Sequence, residues 1–435
     1  MTHLIDKNLT KSIKKNIYGK AQIAKIIFPP GLGAIALDEA KAILNNLWFA
    51  QKFMGKVSLL KNEIQIRPVY MFAIVELLLR NYCFSDVRLI IFKDQVVGKK
   101  AFEKKAHEIN WDRYINKNMS LKIKVNSVSS KAFHETGLKE ILAEIIKPYV
   151  SDVVSGENSN ETTCLYAELY KDKLTISISL AGQSLYKRGY RGKLTASAPL
   201  REDAAACCIK KAILFAKKYT SHFSPRTVLI PFSGTGTFAF EYCQTDFQFI
   251  PALLEREYAL QKMTLFRKAN FDFLINKAKE YCLLSQSKID KNNIDLVCID
   301  NSSNANNALE KNIVCFKNAA KKINFTLPNI ISVQDDFFKI NLDEFSGNIF
   351  MPLNPPYGIR LGNNSNSIAL YKKIAIKINQ ISTISKRNQH NVLGFILCQT
   401  KEAWSAFIEN LAQAKTETYH FTQGSLDIRV CQFFI

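Results

Sequence analysis

The chain of 435 residues is short of the features that mark membrane, secreted and zinc-binding proteins. It has no apolar run of the roughly 18 residues that a membrane-spanning helix needs. The N-terminus is basic and lacks an apolar segment, so no secretory signal is expected. The ten cysteines include no C-x-x-C pair, which argues against zinc and for reduced thiols. We therefore expect a cytoplasmic protein with no metal ion and no membrane partner.

The chain also has too few acidic residues to balance the positive charge of its lysines and arginines. The chain has 38 Asp and Glu against 59 Lys and Arg, which gives a net charge of +21. Both residues 1–155 and residues 156–435 carry an excess of basic side chains. A polyanion that contacts both parts is the natural partner, so we expect nucleic acid, although a high-pI chain can also be simply soluble and basic.

The most informative stretch is Asn354-Pro355-Pro356-Tyr357, which follows the apolar run Ile349–Leu353. Neither proline can donate to a sheet, so the run predicts a buried strand that ends at a sheet edge. Ligands of open α/β sheets bind at that end of the strands. The Asn354 side chain and the Pro355 carbonyl can accept from an exocyclic amine, and Tyr357 can stack on an extruded base. The alternative is a plain Pro-Pro turn in which Asn354 is a turn former.

A second stretch joins the β-branched strand Thr227–Pro231 to a glycine turn, which we define as residues 232–237. Glycines here let the backbone approach a nucleotide-like ligand closely. Gly234, Gly236 and Ala239 also fit the dinucleotide fingerprint, with Glu255 about twenty residues further on. The downstream Asn-Pro-Pro-Tyr argues against a dinucleotide, because a hydride-transfer enzyme has no use for it.

Residues 187–191 form a compact basic cluster with an interleaved aromatic ring. We interpret Lys187, Arg188, Tyr190 and Arg191 as a phosphate clamp, and a solvated loop is the alternative. The polar segment 151–162 predicts a domain boundary. Three parts follow: a flexible basic lead-in over 1–21, an α+β region over 22–155, and a second domain over 156–435.

The glycine turn, the Asn-Pro-Pro-Tyr-Gly segment and their spacing resemble class I S-adenosylmethionine-dependent methyltransferases. Residues 184–191, 198–202, 354–362 and 421–433 resemble more closely the bacterial 23S rRNA guanine-N2 methyltransferases that carry a THUMP domain. The resemblance implies an α/β fold: a Rossmann-like methyltransferase domain with a seven-stranded sheet, preceded by a ferredoxin-like and THUMP RNA-binding region. It also implies S-adenosyl-L-methionine as cofactor and large-subunit rRNA as partner, and it leaves the oligomeric state open.

The resemblance further implies a set of site residues. The target-base residues are Asn354, Pro355, Pro356 and Tyr357. The cofactor residues are Pro231, Ser233, Gly234, Thr235, Gly236, Thr237, Asp300, Asp335, Asp336 and Asn354. The RNA-binding residues are Lys187, Arg188, Tyr190, Arg191 and Arg360.

Two positions depart from the family pattern. Ile230 stands where the family has an acidic residue, and Cys298 stands where a carboxylate normally holds the ribose hydroxyls. Losing such a charge-assisted hydrogen bond costs on the order of 1.5–3 kcal/mol, or about tenfold to a hundredfold in affinity. Asp300 could cover the diol. Alternatively, the chain is a degenerate methyltransferase retained as a non-catalytic RNA-binding or ribosome assembly factor.

The expected reaction is methyl transfer to the exocyclic N2 amine of an extruded guanine, with positioning as the main source of acceleration. The six histidines lie outside the motifs, so no dedicated general base is expected. A DNA or protein amine methyltransferase that shares Asn-Pro-Pro-Tyr is a further alternative. The choice of guanine over adenine rests on the resemblance alone.

Overall fold

The structure is a computed structural model that describes residues 7–49, 52–96, 98–128, 135–154, 163–191, 199–286, 294–341, 345, 347–356, 364–387 and 389–435. Its strands are β1 Gln22–Ile27, β2 Lys56–Leu59, β3 Glu63–Val69, β4 Asp86–Gln95, β5 Ser120–Val128, β6 Asp152–Val153, β7 Thr163–Tyr170, β8 Lys173–Ser179, β9 Thr227–Pro231, β10 Asp295–Asp300, β11 Asn329–Gln334, β12 Ile349–Leu353, β13 Val392–Cys398, β14 Lys415–Gln423 and β15 Leu426–Phe434. Its α-helices are α1 Lys7–Ile13, α2 Gly33–Asn45, α3 Met71–Arg80, α4 Lys99–His107, α5 Glu135–Ile146, α6 Glu202–Ala216, α7 Thr237–Thr245, α8 Lys268–Gln286, α9 Ser303–Lys321, α10 Asn364–Arg387 and α11 Lys401–Asn410. None of these helices is both long and apolar enough to cross a membrane.

The chain divides into two compact units. The first unit comprises residues 1–28, 37–185 and 256–277, and the second comprises residues 29–36, 186–255 and 278–435.

Within the described residues, the first unit contains an eight-stranded sheet in the order β2-β3-β1-β4-β8-β7-β5-β6. Most neighbours are antiparallel, whereas β5 is parallel to both β6 and β7. Lys25 of β1 pairs with Glu63 of β3 at 2.8 Å, and Arg88 pairs with Asp86 of the same strand, β4, at 2.7 Å. The Arg88 guanidinium carbon also lies 3.3 Å from the ring centroid of Tyr166.

Two features of the first unit differ from the sequence expectations. Residues 7–18 form α1 and a following π-helical turn rather than a flexible lead-in, because Ile13, Ile17 and Tyr18 are buried. The hairpin β7–β8, which lies beyond the expected boundary at residue 155, pairs through β8 with β4 and through β7 with β5. The sheet of the first unit therefore continues to Ser179.

The second unit contains the expected seven-stranded sheet, in the order β11-β10-β9-β12-β13-β15-β14 within the described residues. Strands β9 to β13 run parallel to one another, and β15 is antiparallel to both β13 and β14. This arrangement confirms the α/β class and the Rossmann-like catalytic domain.

The central strands of this sheet are apolar along their whole length. All residues of β9, β12 and β13 are buried, as expected for parallel strands that helices cover on both faces. Helices α10 and α11 supply Ile374, Ile378 and Phe407 to the core that forms against Met351 and Ile396. This packing fixes the strand ends that carry the polar residues of the candidate site.

Candidate active site

The candidate site lies where the strand order of the second sheet reverses. Strand β9 pairs in parallel with β10 on one side and with β12 on the other. The carboxyl ends of these strands therefore share one edge of the sheet, where a crevice opens at the switch point. The glycine turn follows β9, Asp300 ends β10, and Asn354 follows β12.

The glycine turn has an unusual backbone that its sequence explains. Phe232, Gly234 and Gly236 have φ values of 55°, 54° and 87°. A Cβ at Gly236 would lie 2.4 Å from Leu309 Cδ1, so a side chain is excluded there. The Ser233 amide donates to the Ile299 carbonyl at 3.0 Å, which ties the turn to the end of β10. The backbone is thereby held close to the strand ends.

Two hydroxyl groups in this turn are unsatisfied. Ser233 Oγ and Thr235 Oγ1 are buried and have no hydrogen-bond partner among the described residues. Buried polar groups in proteins are normally paired, so each unpaired one requires an explanation. Beside them, Gly234 has open space where a Cβ would lie. Unpaired hydroxyls and an uncovered backbone fit a bound polar small molecule.

Asp300 presents an oriented carboxylate to the same space. Its Oδ2 accepts from the Gly234 amide at 2.9 Å, and its Oδ1 accepts from the Ser302 amide at 3.0 Å. Asn306 donates to the Asp300 carbonyl at 2.8 Å and fixes the end of β10. An ionised carboxylate has about four acceptor positions, so roughly two remain for a diol.

The two positions that depart from the family pattern lie inside the sheet. Ile230 and Cys298 are fully buried and stand opposite each other in β9 and β10. Burial raises the pKa of the Cys298 thiol to about 12, so it stays neutral. Cys298 occupies the position where the family normally has the diol carboxylate, and the carboxylate that ends β10 at the sheet edge is Asp300.

Asp335 and Asp336 follow β11 on the same edge. Asp336 Oδ1 accepts from the Phe338 amide at 3.0 Å, and Asp335 Oδ1 accepts from the Asp336 amide at 2.6 Å. Lys377, which sequence reasoning missed, donates to the carbonyls of Phe338 and Ile340 at 3.1 and 3.0 Å. In the sequence, Lys377 is marked only as a lysine on an otherwise apolar helix face. Its two hydrogen bonds hold the turn after Asp336 in place.

The residues expected at the target base are described in part. Asn354 is half-buried, Pro355 is buried and Pro356 is exposed. Tyr357 and Arg360 lie outside the described residues. Pro231 ends β9 directly before the glycine turn, and Thr237 is the last residue of that turn and begins α7.

The structure corrects the interpretation of the basic cluster 187–191. Arg188 and Tyr190 are each 2% exposed, and both contact the carboxylate of Glu241 at 3.3 Å. They cannot form a surface for RNA, so the prediction was wrong for these two residues. Lys187 is exposed. Arg188 is buried beside Glu241 of α7, which compensates its charge.

Arg191 is likewise engaged inside the second unit. Its Nε lies 2.8 Å from Glu202 Oε1, and its guanidinium donates to Thr237 Oγ1 at 2.6 Å. Arg191 therefore links α6 to Thr237, which is the last residue of the glycine turn and the first residue of α7. The sequence signal for these contacts was weak, since Glu241 is a single acid within an apolar run and Glu202 belongs to an acidic pair with Asp203.

Known proteins match this chain over both parts. A family model described as an RMKL-like methyltransferase domain matches residues 188–428, and a THUMP domain model matches residues 99–179. The THUMP match ends with the hairpin β7–β8, in agreement with its place in the first sheet.

Two curated relatives are named Ribosomal RNA large subunit methyltransferase K/L. The relative from Shewanella amazonensis is 25% identical over 311 residues, which cover 68% of this chain and 39% of the relative. The relative from Saccharophagus degradans is 24% identical over 283 residues, which cover 63% and 35%. The chain thus spans about two fifths of the length of these proteins.

A solved structure shares the fold. The crystal structure of SMU.472 complexed with SAH has a TM-score of 0.72 and 18% identity, and the match covers 95% of this chain and 98% of that one. The methyltransferase model alone covers more than half of the residues. The chain belongs to the RMKL-like methyltransferase family and carries a THUMP domain.

Proposed function

We propose that this chain transfers the methyl group of S-adenosyl-L-methionine to the exocyclic N2 amine of a guanine in large-subunit rRNA. The observation that carries the proposal is the shared edge at the switch point. It brings together unpaired hydroxyls, an oriented carboxylate and the Asn354 turn in a member of a methyltransferase family. The names of the two relatives support rRNA as the substrate class.

The residues on the β9 and β10 side suit the cofactor. The Ser233 and Thr235 hydroxyls and the bare Gly234 backbone would hold its methionine part. The Asp300 carboxylate would accept from the ribose hydroxyls, and Asp336, or Asp335 in its place, would accept from the adenine amine. When bound, the cofactor supplies a methyl group that is already activated by its sulfonium.

The residues on the β12 side suit a planar amine. Asn354 Oδ1 and the Pro355 carbonyl would accept from the two N–H groups of the guanine N2 amine. These bonds hold the nitrogen in line for attack and favour its pyramidal form. Tyr357 would stack on the extruded base. Since Asn354 is neutral, its role is alignment, and positioning of this kind supplies most of the acceleration.

The direct test is methylation of bacterial 23S rRNA that lacks its natural modifications. The expected product, after digestion to nucleosides and mass spectrometry, is N2-methylguanosine. N6-methyladenosine would overturn the choice of base, and faster transfer to DNA of the same sequence would overturn the choice of RNA. If calorimetry detects no cofactor binding and the assay detects no methyl transfer, these results together would favour the non-catalytic RNA-binding alternative.

Asn354→Ala separates alignment from binding. Removing one preorganised hydrogen-bonding group typically lowers kcat by about 10²–10³-fold, so we expect a loss of that size. The dissociation constant for RNA should stay unchanged, because the bond matters mainly in the transition state. An equal loss of RNA affinity and kcat would contradict the assigned role.

A further inference from the structure

A second group of side chains stands at the same sheet edge, two strands beyond β12. Cys398 ends β13 and pairs with Arg429 of β15. Thr400 then caps α11 by accepting from the Ala403 amide at 3.3 Å, which places Trp404 in the first turn of that helix. The Arg429 guanidinium carbon lies 4.8 Å from the Trp404 ring centroid.

Arg429 carries a charge that no carboxylate among the described residues neutralises. It takes part in no ion pair with them, and the nearby Asp427 lies 3.5 Å from His420 Nδ1 instead. Arg429 is half-buried, so its side chain is partly shielded from solvent but still accessible to a ligand. A cation held in this way is suited to an external anion.

Trp404 orients the arginine. The indole packs against the hydrophobic core formed by β12, β13, α10 and α11, so its ring plane is fixed. A guanidinium over a fixed indole is attracted by the ring and presents its N–H donors in one direction. Such a fork matches the oxygens of a phosphate group.

Two further polar atoms at this edge are unsatisfied. The amide Oε1 of Gln399, directly after β13, and the indole Nε1 of Trp404 are buried and have no partner among the described residues. Unpaired buried acceptors and donors are uncommon in folded proteins. They strengthen the case that this edge contacts a ligand next to Arg429.

The position relative to Asn354 identifies the kind of ligand. Strand β13 lies between β12 and β15, and neighbouring strands are about 4.8 Å apart, so Arg429 and the Asn354 strand are roughly 10 Å apart. In double-stranded DNA one strand carries a phosphate about every 3.4 Å of helix axis, so a span of this size corresponds to a few nucleotides. We propose that Arg429, oriented by Trp404, binds a phosphate of the RNA strand within about three nucleotides of the target, and that Gln399 contacts the same nucleotide.

This inference rests on the proposed function, because it takes RNA as the substrate. The test measures the affinity of the full chain for a 23S rRNA fragment as a function of salt concentration. Arg429→Gln should weaken binding about tenfold and lower the salt slope by about one, as loss of one phosphate contact predicts. Lys317→Gln, on the exposed face of α9, is the control and should leave both unchanged.

Trp404→Leu tests the orienting role. It should weaken RNA binding about threefold in the wild-type background and have no further effect once Arg429 is Gln. Cofactor affinity should be unchanged in every variant. If Arg429→Gln does not fold, Arg429→Lys decides, because it keeps the charge but loses the fork, and RNA affinity should fall about threefold with the slope retained.

The outcomes separate the two proposals. A wild-type chain that neither binds nor methylates rRNA overturns both of them. The second outcome is a wild-type chain that binds and methylates rRNA. If the RNA affinity and salt slope of Arg429→Gln, or of its substitute Arg429→Lys, then equal those of Lys317→Gln, only the assignment of Arg429 is overturned. An additive effect of Trp404→Leu in the Arg429→Gln background would show that Trp404 acts independently.

Discussion

Two arginine–aromatic groups in the second unit have opposite environments. Arg188 and Tyr190 are two positions apart and look like a nucleic-acid contact, yet both are buried against Glu241. Arg429 and Trp404 are far apart in the sequence, yet they stack at the active edge with no carboxylate partner among the described residues. A basic and aromatic composition therefore does not identify a binding surface.

The difference lies in what the fold brings to each cation. The desolvation of a buried guanidinium is tolerated when a carboxylate and further hydrogen bonds compensate it. Glu241 meets this need, since it also accepts from Tyr190 and from Gln244. Arg429 meets an aromatic ring instead, which orients the cation without cancelling its charge.

Among the variants that test this comparison, we expect Arg188→Ala to lower the free energy of unfolding most. Removing one partner of a buried ion pair leaves the other charge uncompensated, which typically costs about 3–5 kcal/mol in the free energy of unfolding. Urea unfolding measures this loss. Lys187→Ala, at the exposed neighbouring position, is the control and should stay within about 0.5 kcal/mol.

Equal stability of these two variants would contradict the structural role of Arg188. A double variant, Arg188→Met with Glu241→Leu, sharpens the test. It removes both charges together, so it should be more stable than Arg188→Ala.

A smaller effect is expected in the pH dependence of stability. Burial raises the pKa of Glu202 from 4.5 to about 7, with Arg191 opposing the shift and Glu241 adding to it. Between these values the folded state binds the proton more tightly than the unfolded state, so the free energy of unfolding falls as pH rises from about 4.5 to 7. The fall is on the order of 3 kcal/mol at most.

Glu202→Gln should remove this part of the slope, and chemical unfolding at several pH values checks it. Glu310→Gln, on the exposed face of α9, is the matched control and should retain the wild-type slope. A Glu202→Gln variant with the wild-type slope would show that folding does not raise the pKa of Glu202.

The smallest effect is expected from Tyr190→Phe. It removes the hydroxyl that donates to Glu241 at 3.3 Å and keeps the ring contact with Phe240, whose centroid is 4.6 Å away. We expect a loss of about 1 kcal/mol in stability and unchanged RNA affinity. Weaker RNA binding at unchanged stability would contradict this structural role and support the original interpretation of Tyr190 as an RNA-binding residue.

Local chemistry made much of the catalytic unit predictable. The apolar runs that became β9 and β12 are buried on both faces, and the residues after them differ sharply in character. The prolines after Leu353 end one strand, and the glycines after Pro231 permit the positive φ values of the other turn. These signals depend on neighbours in the chain, so they could be interpreted without a fold.

Other parts of the site depend on pairing between distant segments. That Cys298 stands opposite Ile230 inside the sheet, while Asp300 ends β10 at the sheet edge, depends on the register of β9 and β10. The place of the hairpin β7–β8 in the first sheet likewise depends on hydrogen bonds to β4 and β5. Neither the strand register nor the pairing of the hairpin can be predicted from a local sequence pattern.

The sequence by itself determined the α/β class, the turns after β9 and β12 and the basic charge, because strand burial, proline, glycine and net charge act locally or in bulk. The tertiary structure decided which cations are accessible. Burial and pairing depend on the side chains that other elements deliver, as Glu241 is delivered to Arg188 and Trp404 to Arg429. That selection is long-range, and it separates a structural ion pair from a charge available to RNA.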